Sequence, residues 1–170
     1  MKKILIFSLI MSIIVTVYLV LNVNGSQYEV KVMPLELVEN FETEWGIKIT
    51  EPEEVKSIWS TKNPSHGDGE WIRILLYKNA IPIKELGQFI PITSDNIEQV
   101  QSYITTFISN TINAYNSDEK ADFLEVINNN PIKIEVGNYY YHKSENDGFD
   151  TFTAIYNKTE KMIYTFEWHQ

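Results

Sequence analysis

From Ile4 to Val23 the chain carries no charged residue, and only Lys2 and Lys3 precede that run. At 1.5 Å per helical residue, about 20 apolar residues cross a hydrocarbon layer of ~30 Å. In lipid a helix satisfies its own backbone hydrogen bonds, so β-branched Ile and Val are tolerated there. The two lysines hold the N-terminus in the cytoplasm, which places the rest of the chain outside. A cleavable secretory leader has an apolar core of ~7–15 residues and a small-residue cleavage site. This run is longer, and Val23-Asn24-Gly25 is not of the Ala-x-Ala form. A retained single-pass anchor over residues 1–25 is therefore the favoured expectation, with a cleaved leader as the alternative. Residues 26–32 read as a linker and 33–170 as one extracytoplasmic domain.

That domain can build a core, because 44% of the 170 residues are hydrophobic. The absence of cysteine excludes disulfides, zinc–thiolate sites and thiol catalysis. Beyond Lys2 and Lys3 the chain has 12 basic and 23 acidic residues, a net charge of −11. Such a body is repelled by phosphate backbones and anionic lipid, which argues against nucleic acid as a partner. Basic partners and cations remain compatible with it.

Periodicity outlines an α+β fold. Pro34 opens a helix whose Leu37, Val38, Phe41 and Trp45 share a side, and Gly46 supplies a left-handed stop. Val55–Ser60 reads as a short strand. Residues 71–77 (WIRILLY) are apolar on both faces apart from Arg73, as in a central covered strand. Ile81-Pro82-Ile83 and Ile90-Pro91-Ile92 read as an irregular connection, since proline lacks a ladder donor. Asp95 and Glu98 have capping-box spacing before a helix over 96–110. A second helix over 118–127 uses Ala121, Leu124 and Ile127. Ile132, Ile134 and Val136 alternate as a strand, followed by a Tyr139–Tyr141 strand. FTAIY and MIYTFEW flank Asn157–Glu160 as a hairpin, with Met162, Tyr164, Phe166 and Trp168 on one face. The expected product is an antiparallel sheet of about four or five strands with helices packed on one face.

Two polar clusters interrupt this pattern. His66-Gly67-Asp68-Gly69-Glu70 combines imidazole and carboxylates with glycines that permit a sharp turn. It could contact a ligand or partner, bind a metal or move protons. The favoured reading is a tight loop opening the next strand, with Asp68 bonding its own backbone. The second cluster, His142 to Asp150, fails as an EF-hand: with Gly148 in the sixth position, Lys143 and Ala154 fall where carboxylates are required. It reads as a strand connector. Should the sheet place it beside residues 66–70, His66, Asp68, Glu70 and His142 would form the candidate contact site. Tyr139, Tyr140, Tyr141, Tyr156, Tyr164 and Trp168 suit either a groove or cross-strand core pairs. His169, near the end of the sequence, is expected to be exposed. The sequence contains no P-loop, Rossmann fingerprint, H-E-x-x-H or nucleophile elbow, and nothing in it implies a cofactor.

At HGDGE, and again at NYYYH and TFTAIYNKTEKMIYTFEW, the chain resembles a family of small exported or membrane-anchored proteins of Gram-positive bacteria whose function is unknown. That family carries His-Gly-Asp-Gly within a longer Thr-His-Gly-Gly-Phe-His-Gly-Asp-Gly stretch, and ends in a Tyr-Tyr strand and an "AIYD-turn-LYY" hairpin. Here Asn63-Pro64-Ser65 replaces the upstream part, which removes one histidine, and Asn157 stands in place of Asp. The resemblance spans about residues 35–168 and implies export and a required backbone shape at the glycines. Three functions follow as expectations. The first is a non-enzymatic module contacting an envelope protein or small ligand. The second is a metal-dependent or hydrolytic enzyme using the His66–Glu70 loop. The third is an immunity or inhibitor protein with an acidic binding surface.

Overall fold

The computed structural model describes residues 33–61 and 68–170. The expected anchor over 4–23, the linker and His66 lie outside the described residues. Among those described, no helix is long and apolar enough to cross a membrane.

The first described element is helix α1, Pro34–Trp45, with Leu37, Val38, Phe41 and Trp45 buried as the periodicity predicts. It closes in an αL cap: Gly46 takes φ +67° and its N–H donates to Glu42 O, while Ile47 N–H donates to Phe41 O. The strands are β1 (Glu54–Ser60), β2 (Gly69–Leu76), β3 (Ile90–Pro91), β4 (Tyr139–Glu145), β5 (Asp150–Asn157) and β6 (Met162–His169). Between β3 and β4 run helices α2 (Ile97–Ala114) and α3 (Ser117–Asn129). The six strands form one antiparallel sheet in the order β1-β2-β6-β5-β4-β3.

Both faces of this sheet are covered, not one. On one face, α1 and the segments around Ile47, Ile81 and Phe89 cover Leu75, Phe152, Ala154, Tyr156 and Ile163. On the other, α2 and α3 cover Ile72, Ile155, Tyr164, Phe166 and Trp168. Alternation along β6 divides the two cores: Ile163, Thr165 and Glu167 face α1, while Tyr164, Phe166 and Trp168 face α2. The double cover explains why β5 and β6 are buried along nearly their whole length.

Four local expectations change. Ile132–Val136 is not a strand; Val136 is exposed, and pairing begins only where Gly137 N–H donates to Ile92 O. The sixth strand comes instead from Ile90-Pro91, whose proline is tolerated because β3 is a two-residue edge strand. The Asp95 capping box does not form. Asn96 is the N-cap of α2, and its Oδ1 accepts from Thr93 N–H at 2.8 Å. Helix α3 is seated by Phe123, which meets Trp59 edge-on at 5.1 Å, whereas Leu124 is exposed. The capping side chain there is Asn116, which accepts from Asp118 and Glu119 N–H.

The aromatic set is core and cross-strand pairing. Tyr139 pairs with Tyr156, whose hydroxyl accepts from Ile81 N–H at 2.7 Å, and Tyr141 O–H donates to Trp45 O at 2.8 Å. The 142–150 cluster is a strand connector: β4 runs through Glu145, and a single turn at Asn146–Gly148 leads into β5.

Candidate functional site

Gly69 opens β2 with φ +155°, and a Cβ there would sit 2.9 Å from Thr61 Oγ1 and 3.1 Å from Trp71 Cη2. That close approach lets Thr61 Oγ1 accept from Glu70 N–H at 2.7 Å and donate to the Glu70 carboxylate. Tyr115 O–H donates to the same carboxylate, and Trp59 Nε1–H donates to Tyr115 at 3.3 Å. Burial, and then the Glu70 hydrogen bond, push the Tyr115 phenol up to about 12, so it stays a donor. Glu70 is thus a buried clasp between β1, β2 and the end of α2. Gly69→Ala should destabilise the fold by about 1–3 kcal/mol, because Thr61 has to move and the clasp opens. Urea unfolding of the purified chain would measure it; an unchanged midpoint would refute the requirement for glycine.

His142 is on β4, separated from β2 by β5 and β6, hence about 14 Å away at the spacing of adjacent strands. Its ring stacks on Tyr103 at 3.6 Å and its Nδ1 pairs with Thr153 Oγ1 at 2.9 Å. Burial pushes its pKa below the ordinary value, which favours the neutral ring. Glu70 and His142 therefore do not come together. Both side chains face α2, and both have partners.

Asp68 behaves differently. It is exposed and lines a cleft of about 460 Å³ on the α1 face, with Asn40 and Glu44 of α1, Trp71 and Arg73 of β2, Asp150 of β5, and Glu167 and His169 of β6. The far end of the second polar cluster, Asp150, does therefore meet the first, although His142 does not.

The inner wall is Glu167, which is 5% exposed. Arg73 Nη1 donates to Glu167 Oε1, and Trp45 Nε1–H donates to Oε2 at 3.3 Å. Burial raises the carboxyl pKa; Arg73, Trp45 and His169 oppose the rise, and Glu44 adds to it. His169 is not loose. Its ring lies 5.0 Å from that of Trp45 and 5.6 Å from that of Trp71, with Nδ1 3.8 Å from Asp150 Oδ1. Ligand atoms of Glu44, Glu167 and His169 all lie within 4.8 Å of one another.

Among the described residues, the cleft is thus lined by four carboxylates and one guanidinium. Sequence reasoning found Asp68 but missed Glu44, Glu167 and His169. The available signal was Glu167 itself: a carboxylate set between Phe166 and Trp168 in a strongly apolar strand sequence. Together, fold and site define an α+β domain with a doubly covered antiparallel sheet and an acidic cleft between its first helix and the sheet. No known protein family, curated protein or solved structure matches this chain.

Proposed function

We propose that the chain is a membrane-anchored extracytoplasmic module, non-enzymatic, that binds a positively charged group of a small ligand or an envelope protein in the cleft on the α1 face. The observation that carries this is the set of carboxylates Glu44, Asp68, Asp150 and Glu167 around one concave site, where Arg73 is the only opposing charge among the described residues. Charge complementarity of this kind selects cations and steers their approach. The uncharged run Ile4–Val23 and the resemblance to exported proteins at HGDGE support the location.

Protease added to intact cells should digest the body; a fully protected body would overturn the topology. Crosslinked adducts formed on the same cells should decline at high salt and with Asp68→Lys, because screening and charge reversal both remove the attraction. Adducts indifferent to both would refute the cleft as the binding edge.

A second reading, an inhibitor or immunity protein that covers a basic partner, draws on α1 itself. Glu36, Glu39, Glu42 and Glu44 are exposed along it, and the helix has no basic residue. It requires adducts that depend on Glu36 and Glu39 as strongly as on Asp68.

A further inference from the structure

We infer that the inner end of the cleft is a binding site for a divalent first-row transition-metal ion, held by Glu44, Glu167 and His169. This deepens the cation-binding proposal and rests on it. Three features separate this triad from an ordinary acidic surface.

The first is convergence. Glu167 and His169 are two apart on β6, so they share a face. Glu44 reaches them from the last turn of α1, and the three ligand atoms fall within 4.8 Å of one another. Around an ion with bonds of ~2.1 Å, tetrahedral ligand atoms are about 3.4 Å apart. Glu44 is exposed, so its carboxylate can adjust toward an ion held by the other two.

The second is the surrounding shell. Metal-ligating histidines are oriented by a carboxylate near the second ring nitrogen, and ligating carboxylates are themselves hydrogen-bonded. Here two indoles confine the His169 ring, and Asp150 Oδ1 lies near it, 3.8 Å from Nδ1 and beyond hydrogen-bond length. Glu167 is oriented by Arg73 and by Trp45 Nε1–H. Those two donors occupy one lone pair on each oxygen, and a carboxylate has about four acceptor sites.

The third is unmet polarity on the same face of β6. Thr165 lies one step inward from Glu167 on the same face of β6, directly opposite Arg73. It is fully buried, and its hydroxyl has no hydrogen-bond partner among the described residues.

The donor set specifies the ion. One imidazole and two carboxylates suit Zn²⁺, Mn²⁺ or Fe²⁺; the lack of thiolate disfavours Cu⁺, and the imidazole disfavours Ca²⁺ and Mg²⁺. Three protein ligands beside an open cleft leave a coordination position for an exchangeable group.

The test is calorimetric titration of Zn²⁺ into the full, untagged chain in detergent after chelator stripping. One ion per chain should bind, and Glu44→Gln and His169→Ala should each weaken binding at least about 100-fold. His142→Ala, on the opposite face, should leave affinity unchanged. Glu44 is exposed, so Glu44→Gln keeps its fold and the test stays decisive even if His169→Ala does not. Binding below one ion per chain, or equal binding by wild type and Glu44→Gln, would overturn the inference. If Zn²⁺ fails to bind while Asp68→Lys still abolishes the cell-surface adducts, the metal site falls and the cation-binding cleft stands. Zn²⁺ binding with adducts indifferent to Asp68→Lys has the opposite meaning.

Discussion

Arg73→Met should destabilise the folded body by about 3–5 kcal/mol, because it leaves the Glu167 carboxylate buried without its charge partner. The two side chains are 13% and 7% exposed, so water cannot substitute for the guanidinium. The loss should depend on pH in a defined direction. Burial already raises the Glu167 pKa, and Arg73 is the leading influence that lowers it. With Arg73 gone, the folded state holds a proton that the unfolded chain releases near the usual carboxylate value of 4.5. Stability of the variant is therefore greatest at low pH and falls as pH rises through that value and beyond. Denaturant unfolding at pH 4.5 and pH 8 would measure the difference. The double variant Arg73→Met, Glu167→Gln retains an acceptor for Trp45 Nε1–H and should recover to within about 1–2 kcal/mol of wild type. A single variant no worse than an ordinary surface substitution would show that the pair is solvated.

Phe152→Ala should cost about 3–5 kcal/mol through the cavity it leaves. Phe152 is fully buried beneath α1, with its ring centroid 5.0 Å from that of Phe41 and 5.5 Å from that of Trp45. Truncation removes the contact surface on which α1 sits, so the cleft walls from α1 should separate from those of the sheet. Phe149→Ala, three residues earlier, should fall within about 0.5 kcal/mol of wild type, because Phe149 is 58% exposed. Thermal unfolding of the pair would settle it; equal losses would mean that α1 does not seat on the sheet as described.

Much of the local structure was legible. Helix α1 announced itself through Pro34, its apolar stripe and Gly46, all of which act within a few residues of one another. The β5–β6 hairpin did so through alternation and the Asn157 turn, where Asn157 Oδ1 accepts from Thr159 and Glu160 N–H. The failures share a cause. Ile132–Val136 alternates like a strand yet has no ladder, while Ile90-Pro91 has a poor strand sequence and pairs with β4. A strand is made by its neighbour, and a neighbour some 50 residues away leaves no mark on local composition. The roles of single polar residues were hidden for the same reason. Gly69 and Glu70 looked like chemistry and serve the clasp with Thr61 and Tyr115, whereas His169 looked peripheral and is gripped by two tryptophans.

Residue order and type alone were enough to specify the uncharged run, the acidic body, the α+β class, the bounds of α1 and the terminal hairpin. Each of these depends on charge, hydropathy or backbone preference over a short span. The six-strand order, the second covered face and the acidic cleft needed the folded chain. Placing β2 beside β6 is what brings Asp68, Trp71 and Arg73 to Glu167 and His169, and α1 then adds Glu44. Periodicity states which side of an element is apolar; only long-range packing states what covers it, and therefore which carboxylates end up sharing one cavity.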